Sequence, residues 1–397
     1  MSHRIRLVAI ALFVAAPLTA QSRSPAYIIT RLGVDTVAIE RYTRSKEKLE
    51  GDLVLRYPRV RTFHYIGELT PDGQFKSMST TMRRANDAPG GQPALLVSST
   101  FADSVAGFTV LRNGQPDTAM APARLIYHGA AAPTLFTEPP AYGPYEQLLA
   151  AAHLGRDSVA YTLVGPARGP ASELILRRRG ADSVAFTSTF FPGWIEVAKV
   201  DSRGEILGID SRATTVKTTA QRVPSLAFDN IISGWAAAEK AKGGMMGQMS
   251  PPDTTKASVG GANISVAYSR PLKRGRVIFG EVVPWNQVWR TGANAATVFT
   301  TDKDLVIGGA AVPAGKYTLW TLPTPSGAKL IINSETGQWG TDYHSDKDFT
   351  RVDLTSRRVS PAVEQFVIGV DPQGSGGVLR FAWDDREYSV PFTVKQP

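Results

Sequence analysis

Cysteine is absent from all 397 residues. That excludes disulfides, thiol catalysis and Cys-ligated zinc or iron–sulfur centres. A chain of this length can fold without disulfides, because its cores are large enough. Histidine is scarce: His3, His64, His128, His153 and His344 are the whole set. No GxSxG elbow and no SxxK pattern with partner motifs accompanies them, so a nucleophilic site has no signature here. A Ser–His–Asp triad could still assemble from distant positions. Beyond the first twenty residues no apolar run approaches the ~20 that a spanning helix needs. Low-complexity tracts are missing too, and with them any reason to expect long disorder.

What is present begins with a targeting pattern. Arg4 and Arg6 precede the apolar run Leu7 to Ala16, Pro17 breaks it, and Ala20 and Ser22 supply small residues for cleavage. This reads as a secretory signal peptide over residues 1–22, with no transmembrane segment left after cleavage. The expected location is the periplasm or the medium. The formal charge is +9, from 44 Lys and Arg against 35 Asp and Glu. The densest basic cluster is Arg177-Arg178-Arg179, and no RNA- or DNA-binding motif is present, so nucleic acid is not an expected partner.

The length points to two domains. Residues 24–242 read as an antiparallel β assembly. Short strand-like runs recur, PDG (Pro71 to Gly73) and DSRGE (Asp201 to Glu205) mark hairpins, and helices are expected near Pro144 to His153 and Ser225 to Lys242. The tetrapeptides DTVA at Asp35 and DSVA at Asp103, Asp157 and Asp182 recur without a fixed period. They read as strand entries, in which Asp bonds its own backbone in the turn. Gly243 to Lys256, rich in Gly, Met and Pro, reads as the linker. Residues 257–397 show alternating runs at the spacing of a β-sandwich or jelly-roll-like domain. The fold class is therefore mainly β, in two domains.

One stretch concentrates recognition chemistry. RVIFGEVVPWNQVWRTGAN, Arg276 to Asn294, carries two Trp, two Arg, two Gly and a Pro between two strand-like runs. Trp289 could offer a stacking platform, Arg276 and Arg290 could hold a carboxylate, phosphate or sugar oxygen, and Asn294 could add a directional hydrogen bond. The bland arrangement of the same residues has Trp289 in the core, Arg290 paired with an acid such as Glu281, and Gly292 to Asn294 as a turn.

This stretch also carries a resemblance. SRPLKRGRVIFGEVVPWNQVWRTGANAAT (Ser269 to Thr297), VIGGAAVPAGKYTLWTLP (Val306 to Pro323) and the pair Trp339-Gly340 resemble the bacterial family named domain of unknown function 2911, over roughly the last 145 residues. One departure is Ala295, where the pattern has an acidic residue after GAN. The resemblance implies a domain boundary and a β-rich fold. It implies no reaction.

Two weaker clusters complete the survey. The loop TDYHSDKD places Asp342, His344 and Asp346, followed by Asp348, at alternate positions that could hold a divalent cation. It lacks the Gly and terminal Glu of an EF-hand loop, and no other cofactor is expected. Met245, Met246 and Met249 are soft donors that suit Cu(I), with no His nearby. The sequence thus points to a protein that binds a small-molecule, glycan or envelope ligand through Arg276 to Asn294. A hydrolase of glycans or esters built on Arg276, Arg290 and His344, or a structural partner-binding module, are the alternatives.

Overall fold

The computed structural model describes residues 24–395 except 88–89, 118, 120–123, 134, 136, 155–157, 166–171 and 191–192. The signal-like stretch 1–22 lies outside the described residues. The N-terminal domain is a single sheet. Its strands are β1 Ala26–Leu32, β2 Asp35–Arg44, β3 Lys48–Leu55, β4 Arg61–Leu69, β5 Phe75–Arg84, β6 Leu95–Ala102, β7 Val105–Arg112, β8 Gln115–Pro116, β9 Arg124–Ile126, β10 Ala130–Pro133, β11 Ser158–Val164, β12 Ser172–Arg178, β13 Ser183–Ser188, β14 Ile195–Val200, β15 Ile206–Asp210 and β16 Thr219–Val223. The spatial order runs β10 to β16 and then β1 to β8, with β9 beside β7. Neighbours are antiparallel except β10 and β11. The Asp-Ser/Thr-Val-Ala tetrapeptides open β2, β7 and β13, as strand entries should, and Asp157 of the remaining one lies outside the described residues. At the second of them Asp103 and Ser104 both take positive φ, the conformation of a tight hairpin turn.

The sheet curls until β10 lies against β5, and its inner face closes on helix α1, Tyr142–Ala151. Pro144 sits in the first turn, where its missing N–H costs nothing. Tyr142, Leu148 and Leu149 join Tyr42, Tyr65, Tyr161 and Phe186 in one core. No side chain of the helix caps its N-terminus. The buried Glu40 of β2 does so instead, accepting hydrogen bonds from Tyr142 N at 2.7 Å and Gly143 N at 3.0 Å. Helix α2, Phe228–Ala241, covers the other face of the sheet, packing Phe228, Ile231, Ile232 and Trp235 on Ile39, Val54 and Val60.

The segment after α2 is shorter as a linker than its composition suggests. Met246 is buried in that same cluster and its N–H reaches Pro58 O at 2.9 Å. Strand β17 already begins at Pro252, with alternate residues exposed, because it pairs with β18 along its length. The expected linker 243–256 therefore reduces to Gly247–Pro251. Met245 is exposed while Met246 is in the core, so the three methionines do not form one surface.

The C-terminal domain has β17 Pro252–Val259, β18 Ala262–Ser269, β19 Thr297–Thr301, β20 Leu305–Ile307, β21 Ala310–Val312, β22 Gly315–Pro323, β23 Ala328–Asn333, β24 Asp348–Gln373 and β25 Gly376–Val394. Their order is β17-β18-β19-β22-β23-β24-β25-β20-β21. Strand β24 pairs with β23 through Leu354 and with β25 from Thr355 onward, so one strand serves both layers of a sandwich-like core. No helix among the described residues is long and apolar enough to cross a membrane.

Candidate functional site

The connection between β18 and β19 is an ordered cover stitched to the sandwich at both ends. Phe366 N donates to Pro271 O at 2.9 Å and Lys273 N to Glu364 O at 2.7 Å. Trp289 and Thr321 exchange two backbone hydrogen bonds, at 2.8 and 2.9 Å. These fix the direction of the Trp289 ring. It stacks on Trp383 (5.8 Å, 17° between planes) and meets Phe366 edge-on at 5.1 Å. The ring is half-buried and packs on the core, so it fills space instead of presenting an open platform. Trp285 does a similar task locally. It stacks on Phe279, and the Arg386 guanidinium lies 4.9 Å over it.

After Trp289 the chain turns sharply. Thr291 and Asn294 both adopt left-handed backbone, with φ of 53° and 61°. Buried Thr291 is held by Thr297 Oγ1, which donates to its carbonyl at 2.8 Å. Asn294 is exposed, and its amide donates to Ser269 Oγ at 3.3 Å and Ser250 O at 3.4 Å, so it braces the turn. The pair Trp339-Gly340 belongs to this same unit. Gly340 N reaches Asn294 O at 3.0 Å, and a Cβ at Gly340 would lie 2.2 Å from Arg290 Cδ and 2.4 Å from Asn294 O. That contact leaves no room for a side chain at position 340 and ties the Trp339-Gly340 pair to the turn after Trp289.

The two site arginines differ. Arg276 donates from Nε to Lys273 O at 3.0 Å and from Nη2 to Leu272 O at 2.5 Å. Burial, with the Arg274 charge beside it, pushes its guanidinium down to about 10. Arg290 makes no hydrogen bond and no ion pair among the described residues, and burial lowers its pKa as well. The expected pairing with Glu281 does not occur. A half-buried Arg without a protein acceptor keeps water on its nitrogens, and an anion could take that place.

The cover also forms the seam with the N-terminal domain. Arg274 is buried, pairs with Asp35 and lies 5.6 Å over the Tyr57 ring. Its carbonyl accepts from Val34 N at 3.0 Å. Gly33, at φ +61°, has no room for a side chain there: a Cβ would sit 2.0 Å from Arg274 O and 2.9 Å from Arg276 Cγ. A third cation, Lys217, comes from the turn between β15 and β16. Its pKa is lowered by burial first and then by the charges of Arg290 and Arg276. Lys217 has no signal in the sequence, because its neighbours are supplied by the other domain.

The acidic loop does not assemble as a metal centre. His344 Nδ1 pairs with Glu335 at 2.8 Å, Asp346 with Lys347 at 3.4 Å, and Asp342 with Thr341 at 3.2 Å. Asp348 is taken by Tyr343 at 2.7 Å and by Arg351. No group of three or more His, Asp and Glu side chains gathers among the described residues. Each carboxylate has a nearer partner than a shared ion. The Glu335 hydrogen bond raises the His344 pKa above 6.5. While Glu335 is ionised, the stability this pair adds is present below the ordinary imidazole value and is lost as pH rises through the raised one. Glu335→Gln should bring the His344 titration, followed by NMR, back down towards 6.5; an unchanged midpoint would remove Glu335 as the cause.

Two grooves among the described residues, of about 350 and 460 Å³, lie over β13–β15 and over β17–β19. The recognition stretch, the Trp-Gly pair and the strand pattern around them now form one unit that can be compared with known proteins. Residues 250–392 match the family model described as Protein of unknown function (DUF2911). The DUF2911 match begins in the short linker and ends inside β25, so it spans the sandwich domain and leaves the N-terminal domain unmatched. Among solved structures, the chain is similar to a DUF1089 family protein from Pseudomonas aeruginosa, at 11% identity and a TM-score of 0.31, covering 50% of this chain and 95% of that one. Among curated proteins none matches significantly.

Proposed function

We propose that the protein is an exported binding protein that takes an anionic small-molecule or envelope ligand at the Arg290 side of its DUF2911 domain. One observation carries the reading. Arg290 is a half-buried guanidinium with no protein acceptor among the described residues, and burial lowers its pKa. A guanidinium fork matches carboxylate and phosphate oxygens, and binding one would give the partly buried cation the acceptor it lacks. Trp289 and Asn294 serve this site by shaping the turn that carries Arg290. Export rests on the N-terminal pattern, and the positive charge of the chain favours anionic partners at the envelope.

The test is calorimetric titration of the full-length protein with inorganic phosphate and with citrate at low salt. Binding is expected to weaken about tenfold or more in Arg290→Ala, the scale of one charge-assisted hydrogen bond, and to weaken with added salt. Equal affinity in the wild type and the variant would sink the reading.

A further inference from the structure

We infer that the N-terminal domain has an internal water-binding site at the start of α1, where a single water bridges the Tyr142 hydroxyl, Glu196 Oε2 and Thr218 Oγ1. The site lies inside the first domain and stands apart from the anion site of the second.

Strand register brings the polar groups into one row. Val197 of β14 pairs with Asp210 of β15, and Asp210 pairs with Thr219 of β16. One step along, two hydrogen bonds close the row: Ser211 Oγ donates to Glu196 Oε1 at 2.6 Å, and Ser211 N donates to Thr218 O at 3.0 Å. Glu196, Ser211 and Thr218 therefore stand side by side across three strands, at 0%, 0% and 3% exposure. Helix α1 lies against the same row. Phe186 of β13 is opposite Glu196, Tyr145 stacks on Phe186 (4.9 Å, 19° between planes), and Tyr142 meets Tyr145 edge-on at 5.9 Å. Burial pushes the Tyr142 hydroxyl well above its usual range, the Glu196 charge adds to the rise, and the Ser211 and Thr218 hydroxyls act against it, so this hydroxyl faces the row.

Each of the three groups has an atom left over. Tyr142 OH, Glu196 Oε2 and Thr218 Oγ1 are shut off from solvent, and none meets a partner among the described residues with hydrogen-bond geometry. Three such atoms in one place are unusual in a native interior, where nearly every buried polar atom is paired. Burial raises the Glu196 carboxyl, against the donors Ser211, Trp194 and Tyr145 around it. A carboxyl so placed favours its neutral form. A neutral acid and two hydroxyls call for a small neutral partner that both donates and accepts. Water has two of each and typically makes about three bonds when buried. A metal cation would need the ionised carboxylate, and an apolar filling would leave all three atoms unpaired. The consequence is that the first residue of α1 is held twice. Glu40 of β2 takes its backbone N–H, and the water ties its side chain to β14 and β16.

Oxygen-17 relaxation dispersion counts the waters that a protein holds for longer than its own tumbling. It is measured on the full-length wild type, Tyr142→Phe, Thr218→Val, their double variant and Glu196→Gln, with circular dichroism as the folding control. Tyr142→Phe and Thr218→Val each remove a hydroxyl with little change of shape. The double variant should hold one long-lived water fewer than the wild type. Glu196→Gln keeps a donor and an acceptor at that position and should retain the water. In denaturant unfolding the two single substitutions should be non-additive, by at least about threefold in the unfolding constant, because they share one partner. An unchanged water count in the double variant overturns the site, and so do additive effects of the two single substitutions. Loss of the water in Glu196→Gln overturns the neutral acid as its partner. If the double variant does not fold, Tyr142→Phe alone decides: its water should exchange faster than in the wild type, and an unchanged residence time overturns the site.

Discussion

Glu40→Ala is expected to remove about 3–5 kcal/mol from the stability of the N-terminal domain, the scale of breaking a buried charged network. Glu40 is 1% exposed. Its carboxyl accepts from Tyr65 OH at 2.6 Å and from the first two N–H groups of α1. Truncation leaves three buried donors without acceptors and a void between β2, β4 and the helix. Burial pushes the Glu40 carboxyl up to about 7, against the opposing pull of its hydrogen bonds, and nearby Glu146 adds to the rise. The folded protein therefore holds a proton between pH 4.5 and about 7 that the unfolded chain releases. The stability from this group is full below that window and falls as pH rises through it, by about 3 kcal/mol across the whole range. Denaturant unfolding at pH 5 and pH 8 should show this fall in the wild type and its loss in Glu40→Ala. A variant as stable as the wild type at both values would mean that α1 is held by its apolar face alone.

Strand character was the most legible feature, because turn chemistry and alternation act over a few residues. Pro71 to Gly73 and Asp201 to Glu205 form the hairpins that their residues announce, with Gly73 and Gly204 at positive φ. Alternation failed where both faces are covered. In β22 the Tyr317, Leu319 and Thr321 set is buried, and so are Thr318 and Trp320, whose indole packs against Ile331 and Tyr343 under the cover. The alternating runs after Asp348 join into only two long strands, β24 and β25, whose irregular register carries both past Pro361. At the site, the turn and Arg290 were legible from composition. The direction of Trp289 stayed open between core filler and stacking platform, since it depends on a backbone pair with Thr321 thirty-two residues away. The charges that act on Lys217 come from Arg290 and Arg276, more than fifty residues on, which no local pattern encodes.

Trp289→Ala and Arg290→Ala should part company in the same unfolding experiment. The Trp289 ring stacks on Trp383 and meets Phe366, so its removal opens a void over the sandwich core and should cost about 3 kcal/mol, the low end for a large core aromatic because the ring is half-buried. Arg290 contributes its stem against Gly340 but no hydrogen bond or ion pair, so its truncation should change stability by less than about 1 kcal/mol, and relief of the desolvated charge can offset the lost packing. The transition to follow is that of the C-terminal domain within the full-length protein. A Trp289→Ala variant as stable as the wild type would mean that the ring is held for something outside the chain. An Arg290→Ala variant that falls as far as Trp289→Ala would mean that the guanidinium has an acceptor within the protein, and the anion site would lose its central cation. The combination expected here, one residue structural and its neighbour free, is what a rigid turn presenting an unpaired charge requires.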